Sequence, residues 1–221
     1  MILPSQNKEN QKAKVRRENM ELILRSGEEV FAAKGFKGAT TQEIAEKANI
    51  PKANLHYYFR GKCDLYGAVL ENIFVEWVKA SEAFDSSNEP EQALTAYIGE
   101  KLRSAFDRPF RSKVWANEII HGANFIDGKL KNDLLEWQEE KVAQINMWIS
   151  EGKIREGIDP KFFLYSIWAI TQHYADFNHQ IEMLNSGKVL TAAQKQEVFE
   201  TVSALILHGA GLEPVSNVNL Y

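Results

Sequence analysis

The amino-acid sequence predicts an all-α protein with about nine helices. Apolar residues recur at helical spacing along most of the chain, and no segment of useful length shows the two-residue alternation of a strand. Glycine, proline and asparagine residues punctuate the helical segments. With 221 residues, of which 44% are apolar and 25% charged, the chain can form one or two domains with substantial cores.

The first helix is predicted from about Arg16 to Lys34, because its apolar residues share one helical face. Gly35 is expected to end this helix in the left-handed C′ position. Residues 1–15 precede the helix and contain Lys8, Lys12 and Lys14, and Arg16 and Arg17 follow directly. We predict that they form a flexible basic arm, which is either a solubilising tail or an extension that reaches phosphates or the minor groove of DNA.

Residues 40–59 are the most informative segment and are predicted to form two short helices joined by a tight corner. Thr40 and Glu43 have the spacing of a capping box, which fixes the start of the first helix. Asn49 tolerates the left-handed conformation at its end, and Pro51 favours the first turn of the second helix. This arrangement is a helix-turn-helix.

The second short helix is expected to bury Leu55 and Phe59 and to expose polar side chains. Cationic, amide and aromatic groups at the start of a helix suit phosphates and base edges, so the predicted partner is double-stranded DNA. Lys52 and Asn54 are the candidates for base contacts. The complete set of candidate DNA-binding residues is Thr40, Thr41, Lys52, Asn54, His56, Tyr57 and Lys62.

The distribution of charge agrees with a DNA partner, although the net charge is −4. Residues 1–66 contain twelve Lys and Arg against eight Asp and Glu, whereas the rest of the chain contains fourteen against twenty-two. A basic head on an acidic body is a common arrangement in sequence-specific DNA-binding proteins.

The chain is predicted to divide into a DNA-binding head, residues 16–66, and a helical body, residues 67–221. A helix from about Gly61 to Phe84 links the two parts, and a polar break follows it. The helices of the body are predicted near residues 91–106, 111–121, 127–151, 160–185 and 191–209.

The motifs of the head resemble the DNA-binding domain of TetR-family repressors. The matching residues are Gly35, Phe36, Gly38, Thr40, Thr41, Ile44 and Ala45, then Ala48, Asn49 and Ile50, then Leu55 to Phe59, Lys62 and Leu65. The resemblance implies a TetR-like fold, with a three-helix head and a body that binds an effector and dimerises. Pro51 departs from the usual capping Ser or Thr, and the usual Leu-Tyr-Tyr-His-Phe run is here Leu-His-Tyr-Tyr-Phe.

The predicted helix over residues 160–185 is apolar on two faces. We predict that one face pairs with the last helix in a homodimer, since a helix-turn-helix that reads one half-site gains affinity from a partner. An ordinary core within one chain is the alternative. The candidate interface residues are Tyr174, Phe177, Ile181, Val202 and Leu205.

The other face of this helix brings Trp168 and Gln172 together, one turn apart. An indole plane beside an amide suits a small polar ring with an –NH–C=O edge, although the amide could instead bond to a neighbouring helix. Residues 167–177 are similar to the pyrimidine-utilisation regulator branch of TetR repressors. That resemblance implies that uracil or thymine is the effector, with Trp77, Trp168 and Gln172 as candidates for its pocket.

Two other functions remain open on the sequence. A TetR-like regulator of a lipophilic drug or acyl compound would use apolar groups such as Phe74, Phe106 and Phe110. A helical protein-interaction adaptor could keep the head and act through protein contacts. Mobility shift on DNA and a ligand screen distinguish these functions.

Enzymatic chemistry is not predicted, because the chain has no nucleophile motif and no phosphate-binding glycine motif. The five histidines lack the spacing of a metal site, and no metal or cofactor is expected. The single cysteine, Cys63, excludes an internal disulfide. No apolar run has the length of a membrane span and no signal core is evident, so a cytoplasmic location is expected.

Overall fold

The computed structural model describes residues 4–215 and 218–221, and within these ranges all regular secondary structure is helical. The prediction of an all-α fold is confirmed. One 3-10 helix, Glu82–Asp85, accompanies ten α-helices in the described chain. The α-helices are α1 (Pro4–Gly38), α2 (Thr41–Lys47), α3 (Lys52–Tyr58), α4 (Lys62–Ser81), α5 (Pro90–Asp107), α6 (Pro109–Ile120), α7 (Gly128–Ser150), α8 (Pro160–Asp176), α9 (Asn178–Leu184) and α10 (Ala192–Ala210).

Helix α1 is longer than the sequence predicts at both ends. It begins at Pro4 rather than at Arg16, so residues 4–15 of the basic arm continue the helix, whereas residues 1–3 lie outside the described chain. This segment is polar but rich in good helix formers, and its only proline is at the start, where a helix tolerates it. Gly35 has a φ of 66° and breaks the regular helix at the predicted position, before a last turn to Gly38.

The predicted helix over residues 160–185 is two helices. Helix α8 ends at Asp176, Phe177 leaves the helical conformation with a φ of −113° and a ψ of 24°, and α9 begins at Asn178. Lys113 of α6 donates from Nζ to Asn178 Oδ1 at 2.7 Å, which ties the start of α9 to the body. The apolar pattern continues across the break and therefore did not indicate it.

Two hydrophobic cores organise the molecule. The core of the head contains residues of α1 to α4 together with Val114 and Trp115 of α6. The core of the body is formed mainly by α5, α7, α8 and α10, and Trp148 is its largest fully buried side chain. Helices α4 and α6 therefore connect the head to the body. None of the described helices combines the length and hydropathy that a membrane span requires.

Candidate DNA-binding surface and effector cavity

The capping box at the start of α2 is formed as predicted. Thr40 Oγ1 accepts from the Glu43 backbone N–H at 3.2 Å, and the Thr40 N–H donates to Glu43 Oε2 at 3.1 Å. Lys34 also binds the Glu43 carboxylate. The hydrogen bonds from Lys34 and Thr40 lower the pKa of Glu43, so its capping carboxylate stays ionised at neutral pH. This box fixes the direction in which α2 leaves α1.

The corner between α2 and α3 has the predicted conformation. Asn49 lies in the left-handed region with a φ of 51°, and the Ile50 N–H donates to Ala45 O at 3.0 Å. Ile50 is half-buried against the core of the head. Pro51 is the residue directly before α3, with a φ of −58°, and gives that helix no side-chain cap. The corner therefore holds the buried side of α3 against the rest of the head.

Helix α3 presents the predicted residues to solvent. Leu55 is fully buried and Phe59 is 5% exposed, so they anchor the helix to the core. Lys52, Asn54, His56 and Tyr57 lie on the opposite, exposed side, and the Tyr57 side chain is 74% exposed. Thr40 is exposed and Thr41 half-buried at the start of α2. These six side chains form a polar, partly aromatic surface around α3.

Lys62 differs from the other candidate DNA contacts because it is already engaged within the head. Its ammonium donates to Ala39 O at 3.0 Å and to Lys37 O at 3.3 Å, and it lies 4.7 Å from the Phe36 ring centroid. It therefore holds the end of α1 to the start of α4. An ammonium has three N–H groups, so one remains for a phosphate.

The body contains a cavity of about 600 Å³ that brings together the three predicted effector residues, Trp77, Trp168 and Gln172. The remaining lining residues are Tyr97, Lys101, Ser112, Trp115, Ala116, Ile119, Ile120, Leu134, Trp137, Tyr165 and Ala169. A volume in this range is typical of small-molecule sites. The walls come from α4, α5, α6, α7 and α8.

Four indole rings line the cavity. Trp137 and Trp168 stack with centroids 5.6 Å apart and planes inclined by 19°, and Trp77 and Trp115 lie 5.1 Å apart at 59°. Two of the indole N–H groups are already satisfied. Trp168 Nε1 donates to the Tyr97 hydroxyl at 2.9 Å, and Trp137 Nε1 donates to Ser81 Oγ at 2.8 Å. These hydrogen bonds fix ring orientation, so flat apolar faces are held ready for a planar ligand.

The polar groups of the cavity are few. Lys101 is 6% exposed, and its ammonium lies 4.4 Å from the Trp77 ring centroid. Burial lowers the pKa of Lys101 to about 8, against the opposing charge of Asp176. In this part of α8 the side chains of Trp168 and Thr171 form hydrogen bonds. Among the described residues, the Gln172 amide forms none. The Ser112 hydroxyl is buried and lies beside the carboxyl of Asp176, whose pKa is raised by burial and lowered in part by Ser112.

The sequence interpretation missed Lys101, which is the one ammonium in the cavity wall. A signal for it existed. Leu94, Tyr97 and Ile98 form the apolar face of α5, and Lys101 follows Tyr97 by four residues and Ile98 by three, so it lies on that face. A lysine on a buried helical face needs a partner, and aromatic rings supply one here.

The predicted dimer residues divide into three groups in the structure. Phe177 and Leu205 are exposed, at 52% and 63%, and Tyr174 and Ile181 are half-buried. Val202, in contrast, is 2% exposed within the single chain, where it packs in the core of the body. Its assignment to an interface was wrong, because helical spacing did not distinguish the inner face of α10 from its outer face.

The histidines and the cysteine lie at the surface of the described chain. All five histidines are exposed, and the described residues contain no group of three His, Cys, Asp or Glu arranged for a metal ion. Cys63 is exposed near the start of α4. A helix-turn-helix head joined through α4 to a body with an aromatic cavity defines a ligand-responsive DNA-binding regulator.

Comparison with known proteins gives the family. Residues 23–69 match the family described as bacterial regulatory proteins of the tetR family, and residues 70–213 match the YcdC-like protein C-terminal region. The chain belongs to the TetR family of DNA-binding transcriptional regulators. Members of this family bind operator DNA and small-molecule effectors, form dimers and are not enzymes.

Among curated proteins, the chain is similar to the HTH-type transcriptional regulator RutR of Escherichia coli K12. The two are 36% identical over 187 residues, which cover 85% of this chain and 88% of RutR. A more distant relative is the transcriptional repressor KstR2 of Mycolicibacterium smegmatis, 20% identical over 69% of this chain and 77% of its own.

Solved structures support the fold. The fatty acid degradation regulator FadR of Bacillus halodurans aligns with a TM-score of 0.67 and 14% identity, over 86% of this chain and 95% of its own. FadR of Bacillus subtilis in complex with stearoyl-CoA aligns with a TM-score of 0.62 and 17% identity, over 86% and 98%. At these identities the likeness concerns the fold alone.

Lys62 binds two carbonyl oxygens of the head, and its predicted contact with a DNA phosphate can be tested. Lys62→Ala should weaken binding to all DNA sequences alike and lower the slope of log affinity against log salt by about 1, because one phosphate contact is lost. Fluorescence anisotropy with operator and unrelated duplexes at several salt concentrations measures both effects. Lys129→Ala, whose side chain is 86% exposed on α7, is the control.

The thermal midpoint of Lys62→Ala must be measured beside its DNA binding. A lower midpoint with an unchanged salt slope would show that Lys62 only holds the two carbonyls of the head. That result would remove Lys62 from the DNA-binding residues.

Proposed function

We propose that this protein is a repressor that leaves a near-palindromic operator when a small planar effector binds, and that the effector is a pyrimidine base such as uracil or thymine. The observation that carries the proposal is the cavity lined by four indole rings with an amide and an ammonium in its wall. Stacking selects a flat ring, and the polar groups select its edge.

The chemistry of the wall matches a pyrimidine base. The Gln172 amide can donate and accept at once against an –NH–C=O edge, and Lys101 can donate to a ring carbonyl. Ser112 adds a buried hydroxyl, which lies beside the Asp176 carboxyl. The similarity to RutR over most of both chains, and to the YcdC-like region over the whole body, supports an effector of the same class.

A lipophilic effector is the second candidate, because most of the cavity wall is apolar and because B. subtilis FadR was solved with stearoyl-CoA. The phenylalanines that favoured it do not line the cavity. Phe74 lies in the core of the head, Phe106 packs on Tyr174 with centroids 5.8 Å apart, and Phe110 is partly exposed. The pyrimidine proposal therefore fits the lining residues better.

The surface around α3 is proposed to read the operator. Lys52 and Asn54 precede the buried Leu55 and are placed to reach base edges in the major groove. Thr40, Thr41, His56, Tyr57 and Lys62 surround them and are proposed to position the head on the backbone. A contact between the basic N-terminal arm and the phosphates or minor groove of the operator is likewise a proposal.

The homodimer is proposed to form through α8 and α10, whose outer faces remain apolar and exposed. Phe162, Phe177 and Leu205 are each more than half exposed, although large apolar side chains are favoured inside proteins. Two copies would place two heads on half-sites about one helical turn of DNA apart, or somewhat more.

Gln172→Ala tests the effector site. Without the side-chain amide of Gln172, uracil should no longer release the protein from operator. Operator affinity in the absence of uracil should stay within about twofold of wild type. Anisotropy titrations with and without uracil measure release, and Gln92→Ala, at an exposed position of α5, is the matched control. Release of Gln172→Ala at wild-type uracil concentrations would contradict the assignment, and release by long-chain acyl compounds alone would favour the lipophilic candidate.

Leu205→Asp tests the dimer interface. A carboxylate on the outer face of α10 should give monomers in sedimentation velocity, because charge burial opposes association. Met147→Asp changes an apolar residue that is 46% exposed on α7, outside the proposed interface, and should leave the dimer intact. Dimers of Leu205→Asp as stable as those of wild type would place the interface elsewhere.

The pKa of Lys101 predicts how uracil binding depends on pH. Its pKa in the free protein is about 8, below the usual 10.5, and a carbonyl that accepts from the ammonium should raise it in the complex. Uracil affinity should therefore be flat at lower pH and fall as pH rises through about 8. Calorimetry across this range measures the dependence. Lys101→Met should lose this inflection, and an identical inflection in both proteins would show that Lys101 is not responsible.

A further inference from the structure

An ion cluster centred on the buried Glu28 joins the head to the body at the start of α6. The Glu28 side chain of α1 is 3% exposed and accepts from Arg108 Nη2 at 2.7 Å and from Arg111 Nε at 3.2 Å. Arg111 also extends from Nη1 towards Glu76 Oε2 of α4, at 3.4 Å. The Glu28 cluster, which consists of Glu28, Glu76, Arg108 and Arg111, thus ties α1, α4 and α6 together at one point.

The cluster adjoins the effector cavity along the chain. Arg111 precedes Ser112 in α6, and Glu76 precedes Trp77 in α4, and both Ser112 and Trp77 line the cavity. Because a helix moves as a rigid element over a few residues, a ligand that displaces either wall also displaces the neighbouring cluster residue. The cluster therefore responds to the spacing between α4 and α6.

A second contact holds the other end of α6 to the head. The Tyr66 hydroxyl of α4 donates to Glu118 Oε2 at 3.0 Å, and the Phe125 N–H donates to Glu118 Oε1 at 2.7 Å. Trp115, between these two attachments, belongs both to the cavity wall and to the core of the head. Helix α6 is thus attached to the head at both ends and faces the cavity between them.

The burial of the Glu28 carboxylate makes its contacts with Arg108 and Arg111 sensitive to small movements. Removing a charge partner from a buried ion is costly, since the desolvated charge then lacks compensation, and hydrogen bonds weaken steeply outside their normal length and angle. A shift of α6 along or away from α1 would therefore break the contacts of Glu28 in a step rather than gradually. A contact that is either made or broken can supply the two-state element through which distant sites are coupled.

We propose that Glu28 is the positioning residue through which the cavity controls the DNA-binding head. When Glu28 bridges Arg108 and Arg111, in the absence of effector, α1 and α4 hold the two heads of the dimer at the spacing that binds operator. An effector between Trp77 and α6 moves Arg111 away from Glu28 and releases this spacing. This inference rests on the proposed function as an effector-released regulator.

Glu28→Gln in the full-length protein tests the inference. A neutral amide cannot hold two guanidinium groups, so the variant should resemble the effector-bound state before effector is added. Operator affinity without uracil should fall, operator affinity in saturating uracil should stay at the wild-type value, and their ratio should approach 1. The wild-type ratio is expected to be about 5 to 150. A purely structural defect would instead lower both affinities alike and preserve the ratio.

Two further variants complete the test. Glu76→Gln removes one bond from a carboxylate that is 41% exposed, so it should fold normally and reduce the ratio partly. Glu21→Gln removes an exposed ion pair with Arg25 on α1, the helix that carries Glu28, and should keep the wild-type ratio. Wild-type ratios for both Glu28→Gln and Glu76→Gln would overturn the proposal.

A measurement without effector separates this inference from the pyrimidine proposal. Cys63 is the single cysteine, is exposed and lies in the first turn of α4, so a spin label on it reports the distance between the two heads of a dimer. Glu28→Gln should shift or broaden this distance. If uracil fails to bind wild type, the pyrimidine proposal is wrong, and the label distance alone then decides the role of Glu28. A distance equal to that of wild type would contradict that role.

Discussion

Helix α4 belongs to two parts of the molecule at once, and the rest of the structure depends on this sharing. Leu65, Val69 and Ile73 of this helix are fully buried in the core of the head, and Trp77, one turn after Ile73, lines the cavity. A helix of 20 residues spans about 30 Å, and its hydrogen-bonded backbone resists bending. Repacking around Trp77 must therefore tilt the helix as a unit and move the head, rather than be absorbed locally.

The cavity gains its selectivity from a small number of polar groups in an apolar wall. Lys101 is desolvated, so its charge is unfavourable without a ligand, and the face of Trp77 compensates it only in part. A ligand that offers a carbonyl oxygen to Lys101 and an –NH–C=O edge to Gln172 would satisfy groups that the free protein leaves poorly satisfied. A purely apolar ligand would fill the volume and leave these groups unpaired, which is costly in a site of low dielectric.

The sequence predicted well those features that local spacing controls. The capping box at Thr40, the left-handed Asn49 and the exposed side of α3 depend on residues within a few positions of each other, and each is present. Trp168 and Gln172 share a helical face, and the resemblance to pyrimidine-utilisation regulators added Trp77. The burial of Val202 was not predicted, because helical spacing does not show which face of α10 a neighbouring helix covers. The break at Phe177 was hidden by an apolar pattern that continues across it, and Lys101 was missed although its spacing places it on the apolar face of α5. The Glu28 cluster joins three distant segments and has no local pattern at all.

The central claim is that one ligand in the cavity weakens DNA binding through α4 and α6. It is tested most directly by calorimetric titration of uracil into the free protein and into the protein saturated with operator duplex. Because coupling is reciprocal, the account predicts that uracil binds the operator complex more weakly than the free protein, by the factor with which uracil weakens operator binding. Equal uracil affinities for the two forms, or no uracil binding to the free protein, would contradict it.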